Sequence, residues 1–111
     1  MFGPFVHGLN KGGLTDILAH QRLRATVARA VAGGGSAVRG IRGTWDDVAQ
    51  RRGWLIKPDP SQLYIEFETY ESPDADGHPV EARWSIPEGT YLSIKVLRVR
   101  NGAGVVMHQS A

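Results

Sequence analysis

Four histidines are the residues of this chain best suited to acid–base or metal chemistry, and they are scattered along it. No HxH or HExxH motif brings two of them to the spacing that a metal site uses. The chain has no cysteine, which excludes disulfides, thiol nucleophiles and cysteine-based metal centres. Sequence spacing therefore predicts no enzyme activity, no metal and no cofactor. The histidines are His7, His20, His78 and His108.

The segment "SPDADGH", residues 72–78, is the stretch with the composition of a calcium loop. Asp74, Asp76 and Gly77 match positions 3, 5 and 6 of an EF-hand loop. Position 12 of such a loop needs a bidentate Glu, and Arg83 stands there instead. We interpret the segment as a polar hairpin loop with a tight Asp-Gly turn.

Arginines give the first half of the chain a basic character. Residues 1–57 hold nine Lys and Arg against three Asp, a net of +6, whereas residues 58–111 have a net of −4. Three interpretations of this asymmetry stay open. The basic half binds nucleic acid, the oppositely charged halves of neighbouring copies of the protein attract each other, or both halves are simply solvent-exposed faces of one domain. Trp45 and Trp54 lie close in sequence to several of these arginines, and their rings are suited to stack on nucleic-acid bases. The candidates for facing nucleic acid are Arg22, Arg29, Arg39, Arg42, Arg51 and Arg52.

A long helix is the first element predicted to position these residues. Residues 14–32 begin with a capping side chain, Thr15 or Asp16, and end at Gly33. At 100° per residue they form two apolar stripes, whereas a helix on the surface of a monomer usually has one. We expect the second stripe to face a neighbouring subunit; the alternatives are the domain's own core and a solvated face. This stripe consists of Leu23, Val27 and Val31.

An apolar arm precedes this helix and a flexible bend follows it. Residues 1–13 contain four glycines and a proline, which predicts an extended arm. Phe2, Phe5 and Leu9 are too apolar for a free tail, so we expect them to pack on another subunit. The run "GGGS" then predicts a flexible bend over residues 33–43.

A short second helix opens the remainder of the chain. Thr44 is suited to cap it, Asp46 and Asp47 lie in the first turn, and Gly53 is suited to end it. We therefore predict a helix over residues 45–52.

From residue 62 onward the apolar residues alternate, which predicts strands in residues 63–70, 79–86 and 90–100. The alternation slips at Val96-Leu97, as a bulge would cause. Asn101-Gly102 predicts a hairpin turn into a fourth strand at "GVVMH". The predicted buried face consists of Leu63, Ile65, Phe67, Val80, Ala82, Trp84 and Ile86.

The predicted fold is thus α+β: an N-terminal extended arm, a long helix, a short second helix and a four-stranded antiparallel meander. A chain of 111 residues has room for one core, so we expect a single domain over residues 1–111. No run of 18 apolar residues exists, and the N-terminus lacks the pattern of a signal peptide. We expect no membrane contact.

The arm "MFGPFVHGLNKGG", the two-sided helix 14–32 and the meander with its loop "ESPDADGH" together resemble small structural proteins of tailed bacteriophages. The resemblance implies a non-enzymatic assembly subunit of the head–tail neck or the tail, which packs in rings through its arm and helix. Its partners would be copies of itself and other virion structural proteins, with its arginines in contact with DNA. It would reside in the virion and be assembled in the host cytoplasm.

Which virion component this is stays open among connector, terminator and minor tail protein. A small basic module that binds nucleic acid is the alternative function. A small nuclease that uses histidines and arginines brought together by the fold is the third.

Overall fold

A computed structural model of the chain describes residues 1–9, 11–27, 35–51, 59–75 and 78–110, and the structural statements below concern these residues. They form nine β-strands, two short α-helices and one 3-10 turn (Lys11–Gly13). The expected long helix with a four-stranded meander is therefore wrong, because the described chain is mostly strand. The helices are α1 (Leu14–His20) and α2 (Trp45–Arg51). The strands are β1 (Phe2–Leu9), β2 (Arg22–Arg24), β3 (Thr26–Val27), β4 (Ser36–Arg42), β5 (Leu63–Thr69), β6 (Glu81–Trp84), β7 (Tyr91–Ser93), β8 (Lys95–Asn101) and β9 (Val106–Gln109).

The strands are arranged around β5, which pairs with β1 on one edge and with β8 on the other. The order across the main sheet is β3-β4-β1-β5-β8-β9, and β6 also pairs with β4. A second ladder joins β2 to β7. Because β2 continues through Ala25 into β3, and β7 continues through Ile94 into β8, this ladder links distant parts of the main sheet around one core.

The predicted N-terminal arm is β1, a strand inside the sheet. It pairs with β5 from Phe2 to Leu9 and with β4 at Phe5 and Val6. Gly3 has a φ of 126°, and a side chain there would meet the carbonyl oxygen of Phe67 at 3.0 Å, so the close approach of the two strands requires glycine. Phe5, Val6 and Leu9 are buried within the chain, which explains most of the apolar character of the arm, whereas Phe2 is exposed.

The predicted helix over residues 14–32 ends at His20. Gln21 adopts a left-handed conformation with a φ of 51°, and its N–H donates to the carbonyl of Ile17 at 2.7 Å. Beyond it the chain alternates, with Leu23 and Ala25 buried. The predicted bend over residues 33–43 is also wrong from residue 36 onward, where β4 begins. Residues 28–34, with Arg29, Val31 and Gly33, lie outside the described residues.

The short second helix is confirmed as α2, described from Trp45 to Arg51. Thr44 caps it: the backbone N–H of Asp47 donates to Thr44 Oγ1 at 3.1 Å, and the Thr44 N–H donates to Asp47 Oδ2 at 3.0 Å. The backbone hydrogen bond from Thr44 lowers the pKa of Asp47, with a smaller contribution from the Thr44 hydroxyl. The helix therefore begins where the sequence predicts, and its predicted last residue, Arg52, lies outside the described residues.

Strands form in each segment of the second half where they are predicted, and the bulge is confirmed, but the predicted strand over residues 90–100 is divided at Ile94 into β7 and β8, which pair with different strands. Glu66 pairs with Arg98 and Phe67 pairs with Val96, so Leu97 is the extra residue. The meander is wrong, because both edges of β5 are occupied by β1 and β8, and β6 pairs with β4 instead. Of the predicted buried face, five side chains are buried, whereas Val80 and Ile86 are half-buried.

Helix α2 covers the outer face of this sheet. Val6 and Tyr64 point away from the main core and pack with Val48 of α2, flanked by Ile41 and Trp45. The interior cluster on the opposite face draws on both ends of the chain, from Phe5 to Val99. Neither of the described helices has the length and apolar character that a bilayer-spanning segment requires.

Candidate functional site: a cleft between β1 and β4

The cleft lies where β1 and β4 separate. The two strands pair only at Phe5–Arg42 and Val6–Ile41, although β1 continues to pair with β5 as far as Leu9. A cavity of about 540 Å³ opens beyond the last pair. It is lined by Val6, His7, Gly8, Arg39, Gly40, Ile41, His78, Val80 and Glu81.

Gly8 lines this cleft on the side of β1. A Cβ added at Gly8 would lie 3.4 Å from Tyr64 Cε1 and 3.7 Å from Gln62 Nε2, so a methyl group fits with ordinary contacts. Gly8 is therefore a position of the cleft wall that accepts a side chain without displacing the backbone.

Two histidines line the cleft with opposite hydrogen-bonding character. His7 Nδ1 lies 2.6 Å from the carbonyl oxygen of Arg39, so this nitrogen carries the proton and Nε2 keeps a free lone pair. His78 Nδ1 accepts from the backbone N–H of Val80 at 3.1 Å, so the neutral ring of His78 carries its proton on Nε2. One ring thus offers an acceptor and the other a donor.

The formal charges in the cleft balance. Arg39 Nε lies 3.6 Å from Glu81 Oε1, and both side chains remain partly exposed. Burial lowers the pKa of His7 and outweighs the opposite effect of its hydrogen bond to the Arg39 carbonyl. The His7 ring is therefore neutral at pH 7, and the cleft is polar without net charge.

The lowered pKa of His7 predicts that the protein loses stability in mild acid. The unfolded chain binds a proton at His7 as the pH falls below about 6.5, whereas the folded ring stays neutral to lower pH. The free energy of unfolding should therefore fall, from its value above pH 7, by at most about 1.4 kcal/mol per pH unit for this one group. Denaturant unfolding at pH 7.5 and 5.0 measures the loss.

His7→Gln is the matched variant for this experiment, because its amide can donate to the Arg39 carbonyl and does not titrate. We expect its unfolding free energy to depend less on pH than that of the wild type. Equal dependence in the two proteins would show that His7 is not the source.

The structure places three of the residues predicted to form a subunit interface inside the chain's own core. Phe5, Leu9 and Leu23 are buried, so they cannot pack on another subunit. The reason is that β1 and β2 are strands of the closed sheet rather than an arm and a helix face. Phe2 and Val27 are exposed, and Val31 lies outside the described residues.

Ion pairs within the chain neutralise two of the arginines predicted to face nucleic acid. Arg22 pairs with Asp16 at 3.0 Å and stacks on the ring of Tyr91, and Arg39 pairs with Glu81. The Arg39–Glu81 pair joins a cation of the basic half of the sequence to an anion of the acidic half, so it offsets part of the charge asymmetry within the chain.

The remaining described candidates, Arg42 and Arg51, lie together beside the cleft. Arg51 Nη1 donates to the Arg42 carbonyl at 2.8 Å, and Arg42 Nε donates to the His78 carbonyl at 3.4 Å. Within the described part of the chain, neither guanidinium forms an ion pair with a carboxylate. Arg29 and Arg52 lie outside the described residues.

Two exposed apolar patches lie away from the cleft. The N-terminal patch consists of Met1, Phe2 and Tyr70, and Tyr70 is 80% exposed. The β9 patch consists of Val105, Val106 and Met107. Phe2 pairs with Thr69 at one end of β5, whereas Val106 pairs with Arg100 near the other end, so the patches are separated by most of the strand, about 20 Å.

Sequence reasoning missed both the cleft and the β9 patch. His7 and Arg39 are 32 positions apart, and no local pattern connects them. The β9 patch did have a signal, because Val105, Val106 and Met107 are consecutive apolar residues where a half-buried strand would alternate.

Comparison of the chain with protein family models, with curated proteins and with solved structures finds no match. The function must therefore be inferred from the geometry described above.

Proposed function

We propose that the protein is a non-enzymatic assembly subunit of a tailed-bacteriophage virion, built into the neck or tail, whose partners are copies of itself and other virion proteins. The observation that carries the proposal is the pair of apolar patches at opposite ends of β5. Large apolar side chains that are exposed near one another in the fold favour protein–protein contact. Two different patches at opposite ends favour a head-to-tail contact, which closes into a ring when the rotation between copies permits it.

The β9 patch has the character of a strand edge that is covered in an assembly. β9 pairs with β8 on one edge, and no other described strand occupies its second edge. Edge strands of monomers are usually protected by charged residues, prolines or bulges that oppose further pairing. β9 contains no Asp, Glu, Lys or Arg, and Val106 and Met107 are exposed. Met107 is the extra residue of a bulge against β8, so the exposed apolar side chains rather than a regular free backbone edge favour contact with another chain.

Single charges in the patches should abolish assembly. Met107→Asp and Tyr70→Asp each place a carboxylate in one proposed contact, where an unpaired charge costs several kcal/mol of association free energy. Both side chains are exposed in the monomer, so its unfolding free energy should change by no more than about 0.5 kcal/mol. Analytical ultracentrifugation measures the assembly, and denaturant unfolding measures the stability.

Mixing the two variants tests the head-to-tail arrangement. Each variant retains one intact patch, so an equimolar mixture should form a dimer and no larger species. Thr15→Asp is the matched control, because it adds the same charge at an exposed position outside both patches and should assemble as the wild type. A wild-type protein that stays monomeric at high concentration, or a Met107→Asp variant that still assembles, would contradict the proposal.

A further inference from the structure

We propose that the cleft between β1 and β4 binds a single unpaired nucleobase, presented by a nucleoside or by single-stranded nucleic acid. This site is independent of the assembly function, since none of its lining residues belongs to either apolar patch.

Hydrogen-bonding complementarity is the first argument. The edge of a nucleobase carries donors and acceptors side by side, and bases are recognised through hydrogen bonds to these edges. His7 and His78 both line the cleft, and because Nδ1 of each ring is engaged with the backbone, the ring nitrogens left for a ligand are Nε2 of His7, an acceptor, and Nε2 of His78, a donor. Each ring is fixed in this role by a hydrogen bond to the backbone, so the pattern exists before a ligand arrives.

The charge and shape of the cleft favour a neutral, flat ligand. Arg39 is paired with Glu81 and His7 is neutral, so no uncompensated cation inside the cleft attracts an anion. Ile41 and Val80, which are half-buried, supply apolar contact for the face of a ring. A volume of about 540 Å³ lies in the range of small-ligand sites and accommodates a nucleoside.

Arg42 and Arg51 lie where the backbone of a longer ligand would emerge. Arg42 is bound to the carbonyl of His78, which lines the cleft, and Arg51 is bound to the carbonyl of Arg42. Among the described residues neither guanidinium has a carboxylate within ion-pair distance, although Asp47 is near enough to Arg51 to attract it. Guanidinium groups that are not held in an ion pair bind phosphates well. We therefore expect a single strand, which has a base for the cleft and phosphates for these arginines, to bind more tightly than a free nucleoside.

The test is a titration of the ¹⁵N-labelled full chain, followed by NMR, with four ligands. These are a mixture of the four nucleosides, a short single-stranded oligonucleotide, its duplex form and inorganic phosphate. We expect the oligonucleotide to shift the amide signals of His7, Gly8, Gly40 and Val80, and the nucleosides to shift them at higher concentration. The duplex and phosphate should leave these signals in place, because the duplex keeps its bases paired and phosphate has none.

Gly8→Val adds a branched side chain at a residue that lines the cleft and leaves both histidines in place, and we expect it to weaken binding by at least about tenfold. A β-branched residue suits a strand, and the added Cβ has room beside Tyr64. Gly12→Val is the matched control, because a side chain at Gly12 meets nothing within 4 Å, and it should bind as the wild type. His78→Leu provides a second variant, which removes the donor at an exposed position and should also weaken binding.

The set of ligands that bind shows whether the site takes its base from a free nucleoside or from single-stranded nucleic acid. Binding of both nucleosides and oligonucleotide supports the site for either source, and binding of the oligonucleotide alone assigns it to single strands. Absence of shifts with both ligands, equal binding of the duplex, shifts with phosphate alone, or unchanged affinity in Gly8→Val would overturn the proposal. None of these outcomes affects the assembly experiment, since Gly8→Val should assemble as the wild type.

Discussion

Phe67→Ala should lower the free energy of unfolding by about 3–5 kcal/mol, the range typical of a large aromatic side chain removed from a core. Phe67 is fully buried in β5, the strand that pairs with β1 and β8. Its ring centroid lies 5.5 Å from that of Phe5 and 5.9 Å from that of Trp84. The substitution leaves a cavity between strands from both halves of the chain, and denaturant unfolding at pH 7.5 measures the loss.

Tyr70→Ala is the control for this prediction, because it removes an aromatic ring from an exposed position three residues further along the chain. Its unfolding free energy should change by no more than about 0.5 kcal/mol. If Phe67→Ala does not fold, Ile65→Val, at another fully buried position of β5, should still cost about 0.5–1.5 kcal/mol. A loss below 1 kcal/mol for Phe67→Ala would contradict the assignment of this ring to the core.

The strands of the second half could be predicted because their burial is decided locally. Leu63, Ile65 and Phe67 alternate with polar or amphipathic residues, and this period alone assigns one face to the core. The pairing of these strands could not be predicted in the same way. β6 follows β5 in sequence but pairs with β4, because β1 arrives from the far end of the chain and occupies the edge of β5.

The helix predicted for residues 14–32 is wrong beyond His20 because residues 22–27 fit both a helical and a strand pattern. Leu23 and Val27 are four positions apart, as on a helix, whereas Leu23 and Ala25 also alternate with arginines, as in a strand. Alanine and arginine favour helix locally. The ladder between β2 and β7 outweighs this preference, because it satisfies the backbone of both strands and buries Leu23 in the core.

The cleft depends on contacts that no local pattern contains. It exists because β1 and β4 pair at two positions and then separate. Its hydrogen bonds join His7 to a carbonyl in β4 and His78 to its own neighbouring backbone. The sequence identified the histidines as candidate residues, but only the fold determines which of them share a cavity.

Glu66→Ala should lower the free energy of unfolding by about 3 kcal/mol, because it removes the buried anion of an ion pair. Glu66 accepts from Arg98 Nη2 at 3.1 and 3.3 Å, and it also accepts the backbone N–H of Trp45, the first residue of α2, at 3.1 Å. Without the carboxylate, the Trp45 N–H and the Arg98 cation both lose their partner. About a quarter of the Arg98 side chain remains exposed to solvent. The expected loss of unfolding free energy is therefore at the lower end of the range for buried ion pairs.

The double variant Glu66→Leu with Arg98→Leu separates the cost of the lost pair from the cost of an isolated charge. Apolar residues of similar size often replace a buried ion pair with little loss, so the double variant should be more stable than Glu66→Ala. The Trp45 N–H still lacks an acceptor in the double variant, and about 1–3 kcal/mol of the loss should therefore persist. If the double variant is no more stable than Glu66→Ala, the isolated Arg98 charge contributes nothing. The instability would then arise from the broken contact between β5 and the start of α2, which would be the main function of Glu66 in this fold.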